Sequence, residues 1–332
     1  MSIAPPNPMS SKPDVPQSDF QALHGARILV TGGAGFIGSH LVRALLELQG
    51  QVRVLDNFET GRRQNLVDVQ SDIELIEGDI RDLDVCQRAT EGVRFVLHQA
   101  ALGSVPRSMQ DPAKSLAVNA GGTANVFTAA RDHGVHRIVY ASSSSVYGSS
   151  DRLPKVEGEE GLVLSPYALS KRMDEELADV FDRCFGLSVV GLRYFNVYGP
   201  RQDPNGPYAA VIPRFFASCR QGTAPSVFGD GEQSRDFTYV GDVVAANLMV
   251  LCSTAGSGRA YNVGAGSRTT VNTLARTIMR LTGCAGDVHH AEPRPGDVRH
   301  SQADTGAMAR DFGWHARVPL QEGLEMASAH YV

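Results

Sequence analysis

The sequence predicts an α/β chain: a doubly wound parallel sheet with helices on both faces, joined to a smaller mixed α/β lobe. Three observations predict it. From residue 27 to 192, strand-like apolar runs alternate with helix-like amphipathic segments, the order that builds parallel strands joined by crossover helices. The first of these strands runs into a glycine-rich turn that opens a helix. After Tyr194 the composition shifts to proline- and glycine-rich loops such as Tyr198-Gly-Pro-Arg-Gln-Asp-Pro-Asn-Gly-Pro, which read as an excursion from the sheet into the second lobe.

Residues 1–24 are expected to form a mobile tail. They are rich in Pro, Ser and Asn and hold no apolar run long enough for a signal or membrane segment. Residues 27–30 form the first strand, and Gly32, Gly35 and Gly38 follow in a Gly-x-x-Gly-x-x-Gly spacing with Phe36 and Ile37 between the last two. Gly32 permits a tight turn, Gly35 lets backbone approach a pyrophosphate, and Gly38 lets the helix pack closely, so the turn reads as a Rossmann-type phosphate cradle. A helix is expected over 36–48. The second strand, 52–55, ends at Asp56, whose carboxylate can bond both ribose hydroxyls of an adenosine and would repel a 2′-phosphate. The expected cofactor is therefore NAD rather than NADP. Arg62 and Arg63 read as part of a solvated turn. Further strands are expected at 73–77, 95–99, 137–141 and 187–193, with helices near 115–133 and at 166–185. The core helix 240–251 and the strand 260–263 return to the sheet. The division that follows is a nucleotide domain over 25–193 and 237–264, and a substrate lobe over 194–236 and 265–332. A ligand crevice is expected between them, at the carboxyl ends of the strands.

With 42% apolar and 20% charged residues among 332, and a net charge of −5 without like-charge blocks, the composition is that of an ordinary globular protein. It points to no nucleic-acid or membrane partner. Cys86, Cys184, Cys219, Cys252 and Cys284 are dispersed and odd in number, as expected of reduced thiols in a cytoplasmic protein. His289, His290 and His300 lack the neighbours of a metal site, and no metal is expected.

Tyr167 and Lys171, in Ser-Pro-Tyr-Ala-Leu-Ser-Lys, are spaced to project from one helix face. An ammonium beside a phenol favours the phenolate and so can make a base. Together with Thr31 to Gly38, Asp56-Asn57-Phe58, Gln99-Ala100-Ala101, Asn119, Ser142 to Gly148 and Leu192-Arg-Tyr-Phe-Asn-Val-Tyr-Gly-Pro, these motifs resemble the extended short-chain dehydrogenase/reductase family. Within it the chain resembles the UDP-hexose 4-epimerases, and among them bacterial enzymes acting on UDP-N-acetylglucosamine. The resemblance covers both lobes, from Arg27 onward.

The resemblance implies NAD-dependent, reversible C4 epimerisation through a 4-keto sugar. Tyr167 would be the base, Lys171 would hold the nicotinamide ribose, and Ser143 would bond the reacting hydroxyl. NAD would be met by the glycine turn with Phe36 and Ile37, by Asp56, Asn57, Phe58, Thr60 and Gly61, by Asp79 and Ile80, by Gln99, Ala100 and Ala101, and by Asn119, Ser142 and Tyr194. The UDP-sugar would be met by Ser104, Ser143, Ser144 and Asn196, by Tyr208, Ala210 and Val211 at the uridine, and by Arg235 and Arg299 at the pyrophosphate. Ser301 would leave room for an acetamido group. A homodimer through a four-helix contact built from the segments 115–133 and 166–185 is implied as well. Three other readings compete. A 4,6-dehydratase would carry Asp and Glu where Ser144 and Ser145 stand. A UDP-uronic acid 4-epimerase or decarboxylase would use an extra cation near C6, for which Arg107 is a candidate. A non-catalytic dinucleotide-sensing regulator has no need of the Tyr/Lys pair.

Overall fold

The computed structural model describes residues 17–205, 209–292 and 298–331. Its centre is a seven-stranded parallel sheet made of β1 (Arg27–Thr31), β2 (Gln51–Asp56), β3 (Ile73–Glu77), β4 (Phe95–His98), β5 (Arg137–Ser143), β6 (Val189–Tyr194) and the strand Arg259–Val263. In space the order is Arg259–Val263, β6, β5, β4, β1, β2, β3. The chain thus winds outward from β1 in two directions, and the reversal between β1 and β4 opens a crevice at their carboxyl ends. β1, β2, β4 and β6 are buried along almost their whole length, as a doubly covered parallel sheet requires.

Two cores result. Helices α1 (Phe36–Glu47) and, later in the chain, Val240–Cys252 cover one face, where Leu41, Leu45, Val243 and Leu251 pack against Ile28, Val30 and Val54. The other face is covered by α2 (Leu83–Thr90), α5 (Gly122–Asp132) and α6 (Pro166–Phe185), through Val126, Phe127, Ala178 and Phe181. Between α2 and α5 run two short helices, α3 (Val105–Gln110) and α4 (Pro112–Leu116). Helix α6 starts where Ser165 caps the amide of Ala168, with Pro166 in the first turn, and stops at Gly186, whose φ of +67° closes the end.

Two expectations change. The tail gives way to structure by Gln17, because Gln17–Leu23 forms a 3₁₀ helix that buries Phe20 and Leu23 in the first core. The single helix expected near 115–133 is α4 and α5 joined by a π-helical turn, Ala117–Gly121. That wider turn holds Asn119, which faces inward and is fully buried.

The second lobe is assembled from pieces of two or three residues. Val197–Tyr198 pairs with Thr238–Tyr239, Ser226–Phe228 with His289–Ala291, and Ser234–Arg235 with Thr269–Thr270. Around them α7 (Val211–Arg220), α8 (Val240–Cys252) and α9 (Val271–Thr282) contribute Ile212, Phe215, Phe216, Val240, Leu274 and Ile278 to a third core. Among the described residues no helix is long and apolar enough to cross a membrane.

Candidate active site

A cleft of about 540 Å³ lies over the carboxyl ends of β1, β2, β4 and β5. The glycine turn floors it. Gly32 has φ +68°, and a side chain there would sit 2.7 Å from the Ala100 amide. Gly38 is tighter still: an added Cβ would lie 2.1 Å from the Gly32 carbonyl oxygen. Both positions therefore need glycine, one for its backbone and one for contact.

At the end of β2, Asp56 is locked by two backbone amides, Ala34 to Oδ2 at 2.9 Å and Phe58 to Oδ1 at 2.8 Å. Burial holds its carboxyl above the usual range. Each oxygen keeps a second lone pair, so a ribose diol can still donate to both. Asp79 is bound by Arg81 and by Asn57 Nδ2 at 2.9 Å, and its hydrogen bonds with Arg81 hold it low, at about 2. Arg62 pairs with Asp203, and Arg63 pairs with Glu77 and lies over the Phe58 ring. Neither arginine pairs with Asp56, and neither lines the cleft.

The same cleft is lined by Ser142, Ser143, Tyr167 and Lys171. Ser143 ends β5 and accepts the Ser145 amide at 3.2 Å, which leaves its hydroxyl proton to donate. Tyr167 sits in the first turn of α6, where its amide donates to Ser108 Oγ at 3.0 Å. Lys171 follows one turn later and is buried, its Nζ donating to the Ala141 carbonyl at 2.8 Å. Opposite them Tyr194 is held by Gln99 and Asn247, at 3.2 and 3.1 Å.

A second cleft of about 270 Å³ opens into the smaller lobe and shares Val197 and Gln202 with the first. Asn196, Ala210, Val211 and Arg235 line it. Asn196 has a positive φ of 30° and is pinned by its own side chain, whose Nδ2 donates to the Asp236 carbonyl at 3.0 Å.

Of the residues expected to meet NAD, the cleft gathers Gly32, Gly35, Phe36, Ile37, Gly38, Asp56, Asn57, Thr60, Gly61, Asp79, Ile80, Gln99, Ala100, Ala101, Ser142, Tyr167, Lys171 and Tyr194. Ser104, expected at the sugar, lines it too and caps α3. Phe58 does not line it, because its backbone turns at φ +57° and its ring meets Arg63. Asn119 is also set back. Its side chain clamps both backbone atoms of Leu102 and donates to Ser170 Oγ, so it shapes the wall without reaching the space. Ser144 falls in a 3₁₀ turn behind Ser143. Arg299 is exposed and makes a forked pair with Asp230 at 2.8 Å. Ser301 is buried beside Ser234, its amide on the Ser234 carbonyl at 3.0 Å, outside the lining of both clefts. Tyr208 lies outside the described residues.

Sequence reasoning passed over the acidic and basic side chains beneath the site. Arg193 is nearly buried, yet it bonds both Glu175 oxygens at 2.8 Å and also meets Glu160. Ser142 donates to the same Glu175 at 2.6 Å. Asp174, fully buried, contacts Lys171 at 3.1 Å. The one signal available was spacing, since Asp174 and Glu175 stand three and four residues after Lys171 on the same helix.

The fold and this cleft define a dinucleotide-dependent enzyme whose cleft also gathers Ser143, Tyr167 and Lys171. More specifically, the chain belongs to the NAD dependent epimerase/dehydratase family, whose model matches residues 28–264. A putative UDP-glucose 4-epimerase of Methanocaldococcus jannaschii is 40% identical over 300 residues, covering 90% of this chain and 96% of that protein. UDP-glucuronate 4-epimerase 2 of Arabidopsis thaliana is 34% identical over 329 residues, covering 91% and 75%. Among solved structures, the UDP-N-acetylglucosamine 4-epimerase of Methanobrevibacter ruminantium M1, in complex with UDP-N-acetylmuramic acid, superposes with a TM-score of 0.88 at 35% identity, covering 93% and 98%.

Proposed function

We propose that the protein catalyses NAD-dependent, reversible C4 epimerisation of a UDP-hexose, with UDP-N-acetylglucosamine and UDP-N-acetylgalactosamine as the preferred pair. The observation that carries this reading is the convergence of Ser143, Tyr167 and Lys171 on the cleft that the glycine turn and Asp56 prepare for a dinucleotide. NAD, when bound, supplies the hydride acceptor and donor. Tyr167 takes the proton of the sugar 4-hydroxyl and later returns it, Ser143 donates a hydrogen bond to the same oxygen, and Lys171 favours the phenolate by its charge. Between the two half-reactions the 4-keto sugar turns its other face to the cofactor. Arg235 and Asn196 grip the diphosphate, and Ala210 and Val211 border the uridine.

The uronate reading draws support from the likeness to the Arabidopsis UDP-glucuronate 4-epimerase. A mixed panel separates the two. Purified protein is incubated, without added reductant, with UDP-N-acetylglucosamine, UDP-glucose and their uronates, and products are read by NMR. Conversion of the acetylated sugar at the highest kcat/KM supports the proposal. Turnover of uronates alone replaces it with the second reading, and inertness towards all four leaves a regulator. We further propose a homodimer, since α6 exposes Leu169, Met173 and Val180, and α3 exposes Met109, a row that a second copy would cover. A monomer across micromolar concentrations in sedimentation would exclude it.

A further inference from the structure

Lys171 does not face the cleft alone. Behind it, one turn further along α6, Asp174 Oδ2 accepts from Nζ at 3.1 Å while the Ala141 carbonyl accepts at 2.8 Å. An ammonium has three protons. Two are committed to the protein, so the third is left for the cleft.

Asp174 is fully buried, and its Oδ1 accepts no well-formed hydrogen bond among the described residues. Lys171 and Glu175 face it from α6, Thr123 from α5 and Tyr140 from β5. Glu175 is neutralised by Arg193. Beyond Thr123 stands His98 of β4, which bridges Thr123 Oγ1 at 3.0 Å and Thr31 Oγ1 at 2.6 Å and is kept neutral by burial, its pKa pushed down to about 3. Asp174 is thus the one anion paired with Lys171 among the described residues, and burial pushes its carboxyl up to about 6. A buried pair of this kind is a poor source of stability, because desolvating both ions offsets their attraction.

We propose that Asp174 is a positioning residue for the reaction, fixing the Lys171 ammonium against the cleft floor and tempering the charge that Lys171 presents to Tyr167. The proposal rests on the catalytic reading of Tyr167 and Lys171 given above. Asp174 itself lines neither cleft, so it would act through Lys171.

Asp174→Asn separates the two roles, because the amide oxygen still accepts from Nζ while the negative charge is gone. In the full-length, NAD-loaded protein the acidic limb of the kcat/KM profile is expected to move to lower pH by roughly 1 unit. Asp174→Glu, which keeps the charge, leaves the limb in position even if turnover falls. Asp174→Ser, which keeps neither charge nor reach, moves the limb as Asn does and lowers kcat by about tenfold or more. It also supplies the comparison if the Asn variant does not fold. Profiles for Asn and Ser that superimpose on the parent would overturn the proposal. A second readout needs no turnover: the ultraviolet tyrosinate titration of the Asn variant, minus that of the same variant carrying Tyr167→Phe, shifts to lower pH relative to the parent pair. If no UDP-sugar is converted, the catalytic reading fails while this titration still decides what Asp174 does to Tyr167.

Discussion

Asp236→Asn tests whether the smaller lobe is held in shape by one buried carboxylate. Asp236 is fully buried next to Arg235, and it ties three segments together. Oδ1 accepts the Ala265 amide at 2.8 Å, while Oδ2 accepts the amides of Gly266 at 3.1 Å and Ala303 at 2.9 Å. Asparagine has nearly the same shape but one acceptor oxygen. With that oxygen placed at Oδ2, the new NH₂ faces the Ala265 N–H, donor against donor. One charge-assisted bond is lost, at about 1.5–3 kcal/mol, and a buried amide is left unpaired, at about 1–3 kcal/mol.

Part of that loss is recovered. Burial pushes the Asp236 carboxyl up to about 6 against the pull of its three amides, and a neutral side chain escapes this cost. A net loss of about 3 kcal/mol is expected, and Asp236→Ala, which strands all three donors, should lose more. Urea unfolding followed by circular dichroism should show the lobe melting at lower denaturant while the sheet domain holds, with KM for the UDP-sugar raised because Arg235 is adjacent. A midpoint equal to the parent's for both substitutions would refute the reasoning.

Gly38→Ala inserts a Cβ 2.1 Å from the Gly32 carbonyl oxygen, so co-purifying NAD, measured after acid release, should fall at least about tenfold; full retention would count against the cradle. Asp79 has its folded pKa depressed, chiefly by Arg81, so its stabilisation is present above the unfolded carboxylate range and is lost as pH falls towards about 2. Because the site is partly exposed, Asp79→Asn should cost only about 0.5–1 kcal/mol at neutral pH, with thermal unfolding curves that converge with the parent near that acidic end. Ser301 is buried outside the lining of both clefts, so the idea that it leaves room for the acetamido group is tested by Ser301→Tyr: kcat/KM for UDP-N-acetylglucosamine should fall far more than for UDP-glucose, and equal losses would sink it.

What the sequence made legible follows from how local each signal is. The glycine turn, Asp56 and the Tyr167/Lys171 pair each depend on a few consecutive residues and one element boundary, so spacing read together with the flanking strands and helices pointed to them. The parallel strands were legible because burial on both faces favours short apolar runs such as Ile-Leu-Val in β1. Helix α2 was missed although Asp82 caps the amides of Asp84 and Val85, a start signal that residue types alone advertise. The lobe was illegible for another reason: Ser226–Phe228 is a strand only because His289–Ala291 arrives from more than sixty residues away. Asp174, Glu175 and Arg193 escaped since charged residues on a helix or strand read as surface until their partners are known.

The two clefts differ in what holds them, and that difference bears on specificity. Ser143, Tyr167 and Lys171 sit at the end of β5 and in the first two turns of α6, elements fixed by the central sheet and by the buried bonds of Arg193 to Glu175. Asn196, Ala210 and Arg235 instead sit on loops and on strands of two residues, held by local bonds such as that of Asn196 to the Asp236 carbonyl and by the amides that Asp236 gathers. On the proposed reading, a substitution in the lobe can therefore shift the sugar nucleotide without moving Tyr167 or the glycine turn. Such changes should appear in KM and in the ratio of rates between sugars, with NAD retention unchanged. Changes beneath α6 should appear in kcat and in its pH dependence for every sugar alike. On the proposed reading, the sheet holds the reacting groups, and contacts at Val197 and Gln202, where the two clefts join, and in the lobe beyond them select the sugar.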